Sequence, residues 1–133
     1  MKKLILIAAI ALFSYGAKAQ DLAAQIGTTI THTNAQNDTI SVAISKARPT
    51  VTFKYDISKT SGTVAGTIVL QGKITAPGSA EQWTTINSYT LTDATATNSV
   101  VLTNNAYLNY RIITATTGTS VSVHRKYLLY RTY

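Results

Sequence analysis

The chain has 133 residues, with 12 Lys or Arg against 5 Asp or Glu, a formal net charge of +7, and no cysteine. Without cysteine neither a disulfide framework nor a thiol-linked lipid anchor can form, so stability must come from packing and sheet hydrogen bonds. The basic excess is ordinary for a small soluble domain; it predicts no specific nucleic-acid partner and gives only weak support for an anionic polysaccharide.

Met1, Lys2 and Lys3 form a charged start, residues 4–13 a short apolar run, and Ala17, Lys18 and Ala19 a small-residue cleavage pattern. This is the layout of a secretory signal peptide over 1–19, and the apolar run is too short to span a bilayer. Cleavage after Ala19 makes Gln20 the mature N-terminus and removes Lys2, Lys3 and Lys18, leaving nine basic against five acidic residues, net +4. The remaining 20–133, roughly 110 residues, is enough for one domain with one core and carries no transmembrane span.

Residues 21–25 read as a lead without period, and 28–33 as a first strand around Ile30. A turn over 34–38 leads to a second strand, in which Ile40, Val42 and Ile44 alternate with Ser41, Ala43 and Ser45. Pro49 stands at the entrance of the next strand, where no ladder hydrogen bond is lost. There Val51, Phe53, Tyr55 and Ile57 oppose Thr52, Lys54 and Asp56, the period of a half-buried strand. The Lys59-Thr-Ser-Gly62 segment reads as a hairpin turn into a return strand with Val64, Gly66, Ile68, Leu70 and Ile74 on one face. After a turn over 76–80, Trp83 and Ile86 break strict alternation in 81–89, which predicts a bulge. Residues 91–99 read as a loop or edge, 99–103 as a short strand, and 106–115 as another. The last strand, 119–131, places Val121, Val123, Tyr127 and Leu129 on one side. About eight short strands with turn signals between them predict an all-β chain: a single antiparallel β-sandwich, jelly-roll or immunoglobulin-like.

Little in the chain points to catalysis. Asp21, Asp38, Asp56, Glu81 and Asp93 are scattered, so no carboxylate pair is set by spacing. His32 and His124 lie far apart without metal-ligand spacing, and no Gly-x-Ser-x-Gly elbow occurs. Gly62, Gly66 and Gly72 have no helix behind them and suit close sheet packing better than a phosphate cradle. The expectation is no enzyme, no catalytic residue, no metal and no cofactor. The candidates for binding are aromatic: Trp83, Tyr89, Tyr107 and Tyr110, with Tyr127, Tyr130 and Tyr133 as further surfaces, weighed against their use as core and cross-strand pairs. Arg111, Arg125, Lys126 and Arg131 make the C-terminal strands basic. Tyr133 is the kind of terminal residue that outer-membrane barrels carry, but Arg131 interrupts the apolar face and the strands are short for a span.

The segment Lys59-Thr-Ser-Gly-Thr-Val-Ala-Gly-Thr-Ile-Val-Leu-Gln-Gly72, then Gln82-Trp83-Thr-Thr-Ile86, Tyr89-Thr-Leu-Thr-Asp93 and Tyr107-Leu-Asn-Tyr-Arg111, resembles small β-rich virion proteins of tailed, crAss-like phages and related prophage-encoded proteins. It covers roughly 51–123 and departs where Thr75-Ala-Pro-Gly-Ser-Ala80 replaces an Asp-Gly turn. The resemblance implies a structural or accessory subunit at a virion surface, self-associating or joining a larger assembly through sheet faces and edges. The signal peptide implies export instead, and with it the alternative of an extracellular module that binds polysaccharide or a cell surface through Trp83 and neighbouring tyrosines.

Overall fold

The structure, a computed structural model, describes residues 24–44, 46–74, 80 and 82–130. The expected signal peptide, Glu81, most of the turn at 75–80, Arg131 and Tyr133 lie outside these residues. Eight strands follow one another: β1 (Ala24–Thr33), β2 (Asn37–Ala43), β3 (Thr50–Ser61), β4 (Gly66–Lys73), β5 (Thr84–Leu91), β6 (Ala96–Thr103), β7 (Asn109–Thr116) and β8 (Val121–Tyr130). The described residues contain no helix.

Two four-stranded sheets form, in the orders β1-β8-β3-β6 and β2-β7-β4-β5, and every pairing is antiparallel. Successive strands mostly change sheet, and the first and last strands pair. This is the jelly-roll order of two interlocked Greek keys, which decides between the two expected sandwich types.

The alternation of β3 does what period two requires. Val51, Phe53, Tyr55 and Ile57 are at most 2% exposed, and they meet Ile68, Leu70, Tyr110 and Ile112 from the opposite sheet. Burying such side chains at about 25 cal/mol per Å² of apolar surface is the main force holding the layers together.

Two expectations are corrected. The Lys59–Gly62 segment is not a hairpin turn: residues up to Ser61 still belong to β3 and pair with β8, and the chain crosses over 62–65 to β4 in the other sheet. In β4 the inward set is Ile68, Leu70 and Gly72, while Ile74 is 51% exposed. In β8 Val121, Val123, Tyr127 and Leu129 do share one side; it is the outward one, and the inward side carries Ser122, His124, Lys126 and Leu128. The first strand also begins earlier than its pattern suggests, since Ala24 already pairs with Tyr130. The bulge is present: Leu70 pairs with Asn87 and Gln71 with Thr85, leaving Ile86 as the extra residue of β5.

Candidate functional site

The four aromatic candidates do not form one platform. Tyr110 is fully buried on the inner face of β7, with Asn105 Nδ2 against its hydroxyl, so its ring is core and not a contact surface. Burial pushes its phenol above the ordinary value. Tyr89 turns inward at the sandwich margin, its ring 5.1 Å from that of Tyr55. Tyr107 packs half-buried beside Tyr110, over the backbone of Gly72, where an added Cβ would lie 2.7 Å from Tyr107 Cγ. Trp83 alone of the four reaches an outer face, that of the β2-β7-β4-β5 sheet.

There Trp83 is half-buried and carries two cations. The Arg111 guanidinium carbon lies 4.6 Å from the ring centroid and Lys73 Nζ 5.2 Å from it. Arg111 is outward on β7 because its neighbours Tyr110 and Ile112 are inward. Its Nε donates to Gln71 Oε1 at 2.6 Å, and Gln71 Nε2 donates to Thr85 Oγ1 at 3.0 Å. Pairing puts Ser41, Arg111, Gln71 and Thr85 side by side across all four strands, a polar row about 14 Å wide at the usual strand spacing. An open depression of about 290 Å³ lies next to the row, between Ser41, Ala43, Asn109, Lys73 and the Trp83 ring. The described carboxylates lie elsewhere: Asp38 points inward, Asp56 is on the other sheet, and Asp93 is in the β5–β6 connection. A stacked, braced guanidinium among hydroxyl and amide groups can hold an anionic oxygen or several sugar hydroxyls, with its nitrogens already oriented.

The outer face of the other sheet has a smaller feature. Tyr127 lies across Gly27, where a Cβ would come within 2.8 Å of its Cδ1, beside the Lys54–Asp56 pair at 3.4 Å. Here the glycine serves aromatic packing.

A polar cluster lies inside the sandwich. Lys126 is 1% exposed and its ammonium touches Asp38 Oδ1. His32 Nε2 sits 2.5 Å from Asp38 Oδ2, and His32 Nδ1 lies 3.1 Å from Thr116 Oγ1. The His124 ring is 4.5 Å from that of His32, and its Nε2 meets Ser122 Oγ at 2.9 Å. Burial pushes the Lys126 ammonium below its ordinary range, against the pull of Asp38. Burial, then the neighbouring His32 and Lys126, push His124 down to about 4. The clue was present but ambiguous: β8 has apolar residues on both sides, and Leu128 shares its side with His124 and Lys126. Among the described residues no three His, Cys, Asp or Glu side chains gather as metal ligands.

No protein-family model and no curated protein matches this sequence. Solved structures do resemble it. A mitogen derived from Yersinia pseudotuberculosis aligns with TM-score 0.55 at 10% identity, over 82% of this chain and 87% of that one. PirA aligns with TM-score 0.52 at 18% identity, over 81% and 93%. A family 32 carbohydrate-binding module of C. perfringens NanJ, solved with galactose, aligns with TM-score 0.48 at 11% identity, over 80% and 98%. At such identities the first two likenesses show the all-β sandwich fold and nothing finer.

Proposed function

We propose that the chain is an exported, non-enzymatic binding module that takes an extended anionic polysaccharide across the outer face of the β2-β7-β4-β5 sheet. One observation carries this reading: Arg111 is stacked on Trp83 and tied to Gln71 within a straight row of hydroxyl and amide side chains. Trp83 in this reading is less a bare stacking platform than the support that orients Arg111. The row crosses the strands, so the ligand is a chain laid over the sheet and not a small molecule in a pit.

The test is calorimetry of the purified protein with a soluble polyuronate, with dextran as the neutral control. Arg111→Ala should lower polyuronate affinity at least tenfold, as removal of a charged hydrogen-bond donor does, while thermal unfolding shows the fold intact. Equal binding by wild type and Arg111→Ala, or no binding of polyuronate at all, would reject the reading.

A second reading, a virion surface or accessory subunit that assembles through sheet edges, has its own observation. The edge strand β6 bears no charge, proline or glycine, and Val101 on it is 58% exposed. Natural sheets usually guard such edges. The jelly roll serves both capsid and lectin domains, so the fold itself does not choose between the two readings.

A further inference from the structure

We propose that Lys126 Nζ and Asp38 Cγ condense to an amide, joining β8 of one sheet to β2 of the other through the interior of the sandwich. The reacting groups are already in contact, and they are the only ammonium–carboxylate pair in the described interior. The Lys126 side chain is fully shielded and that of Asp38 is 13% exposed. Lys126 is fixed by its strand neighbours, Thr28 on β1 and Tyr55 on β3. The second carboxylate oxygen faces His32 Nε2 at 2.5 Å, and the far side of that ring is set by Thr116 at 3.1 Å. His124 stacks obliquely on His32, and no other acid faces the group from β1, β2, β7 or β8.

An ammonium and a carboxylate in water do not condense, because both are stabilised as ions. In a dry interior the charged forms are disfavoured, so the proton passes from Lys126 to Asp38 and leaves a neutral amine beside a carboxylic acid. Burial also holds the Lys126 ammonium below its ordinary range, which supports that transfer. Fixed contact supplies the rest: well-oriented intramolecular partners react as if at ~10⁵–10⁸ M.

The step balances without a co-reactant. The transferred proton sits on Oδ1, the oxygen that Nζ touches. The Nζ lone pair forms the bond to Cγ as the Cγ–Oδ2 π pair moves onto Oδ2, where His32 Nε2–H steadies the charge. A proton from the nitrogen passes to the Oδ1 hydroxyl, which departs as water with the Cγ–Oδ1 bonding pair, and the carbonyl reforms at Oδ2. Ammonium and carboxylate have become amide and one water, with nothing oxidised or reduced. The water has a way out, because the Asp38 end of the cluster reaches the surface.

Intact mass spectrometry of the purified full chain under denaturing conditions decides the matter. The expected mass is one water below that calculated for the termini found. After proteolysis, a single branched peptide should carry both Asp38 and Lys126. Asp38→Ala and Lys126→Ala should each show the full mass, Asp38→Asn should lose ammonia in place of water, and His32→Ala should leave a mixture that closes slowly. A wild-type chain at full mass, with Lys126 labelled by an amine reagent after unfolding, overturns the proposal. So does a water loss that maps to any other position. Because the wild type itself gives the answer, variants that fail to fold do not blur it.

Discussion

His124 shows how much one buried side chain sets. It has no exposed surface, its Nδ1 has no partner among the described residues, and its proton affinity is held down to about 4 from an ordinary 6.5. The unfolded chain therefore binds a proton between those values that the folded chain refuses. Stability rises with pH through that window and is lost as pH falls from about 6.5 towards 4. The loss attributable to this residue is about 3 kcal/mol. Urea unfolding at neutral pH and near pH 4 should show it, and His124→Phe should flatten the profile between the two. The sequence left this ambiguous, because β8 has apolar residues on both sides and its register is set by pairing with β1 and β3. Tyr110 misled for the opposite reason: an aromatic strand residue next to an arginine reads equally well as surface or core, and only the neighbouring strands assign it.

At the scale of elements, the corner between β3 and β4 is the instructive place. A polar Thr-Ser-Gly between two alternating runs satisfies every local rule for a hairpin, yet the chain changes sheet there. Local alternation gives each strand's faces and says nothing of which sheet takes the next strand. What the corner does demand is backbone freedom. Gly62 has φ +69° and Gly66 φ +131°, and a Cβ on Gly66 would stand 2.0 Å from the Ala115 carbonyl oxygen. Asp93 pins the same corner from the β5–β6 connection, accepting from Val64 N at 2.7 Å and Lys59 Nζ at 2.8 Å. The Lys59 hydrogen bond, with that of Val64, holds the Asp93 carboxyl below its usual range. Gly66→Ala should cost about 1–3 kcal/mol from its backbone conformation alone, with the carbonyl clash added to that. Gly27→Ala should cost less, since only the side chain of Tyr127 has to swing away. Thermal unfolding of the two variants side by side checks the order.

For the molecule as a whole, the all-β sandwich was legible because nearly every strand obeys period two, and the bulge at Ile86 because Trp83 breaks that period. The jelly-roll order was not, since it depends on long-range pairings such as β1 with β8. The candidate site was half legible: Trp83 and Arg111 stood out singly, but Gln71, Thr85 and Ser41 join them only through cross-strand register. The edges belong to this scale too. If β6 pairs between copies, native mass spectrometry should find discrete multimers of wild type, and Val101→Lys should return the protein to monomer without loss of thermal stability. A wild-type monomer at high concentration removes the assembly reading and leaves the binding module standing.

The pairing of Ala24 with Tyr130 has a mechanical consequence. The described chain enters and leaves at the same end of two adjacent antiparallel strands. A pull on those two ends therefore loads the β1–β8 ladder rung by rung, as in opening a zip, and not all rungs together in shear. Such a ladder opens at low force. The Lys126 rung, opposite Thr28, is the fifth from that end. With Lys126 joined to Asp38, β1 can still peel away, but the load then runs from the far end of β1 to Asp38 and through the covalent bond into Lys126. Everything between Asp38 and Lys126, most of both sheets, is then shielded from the pull.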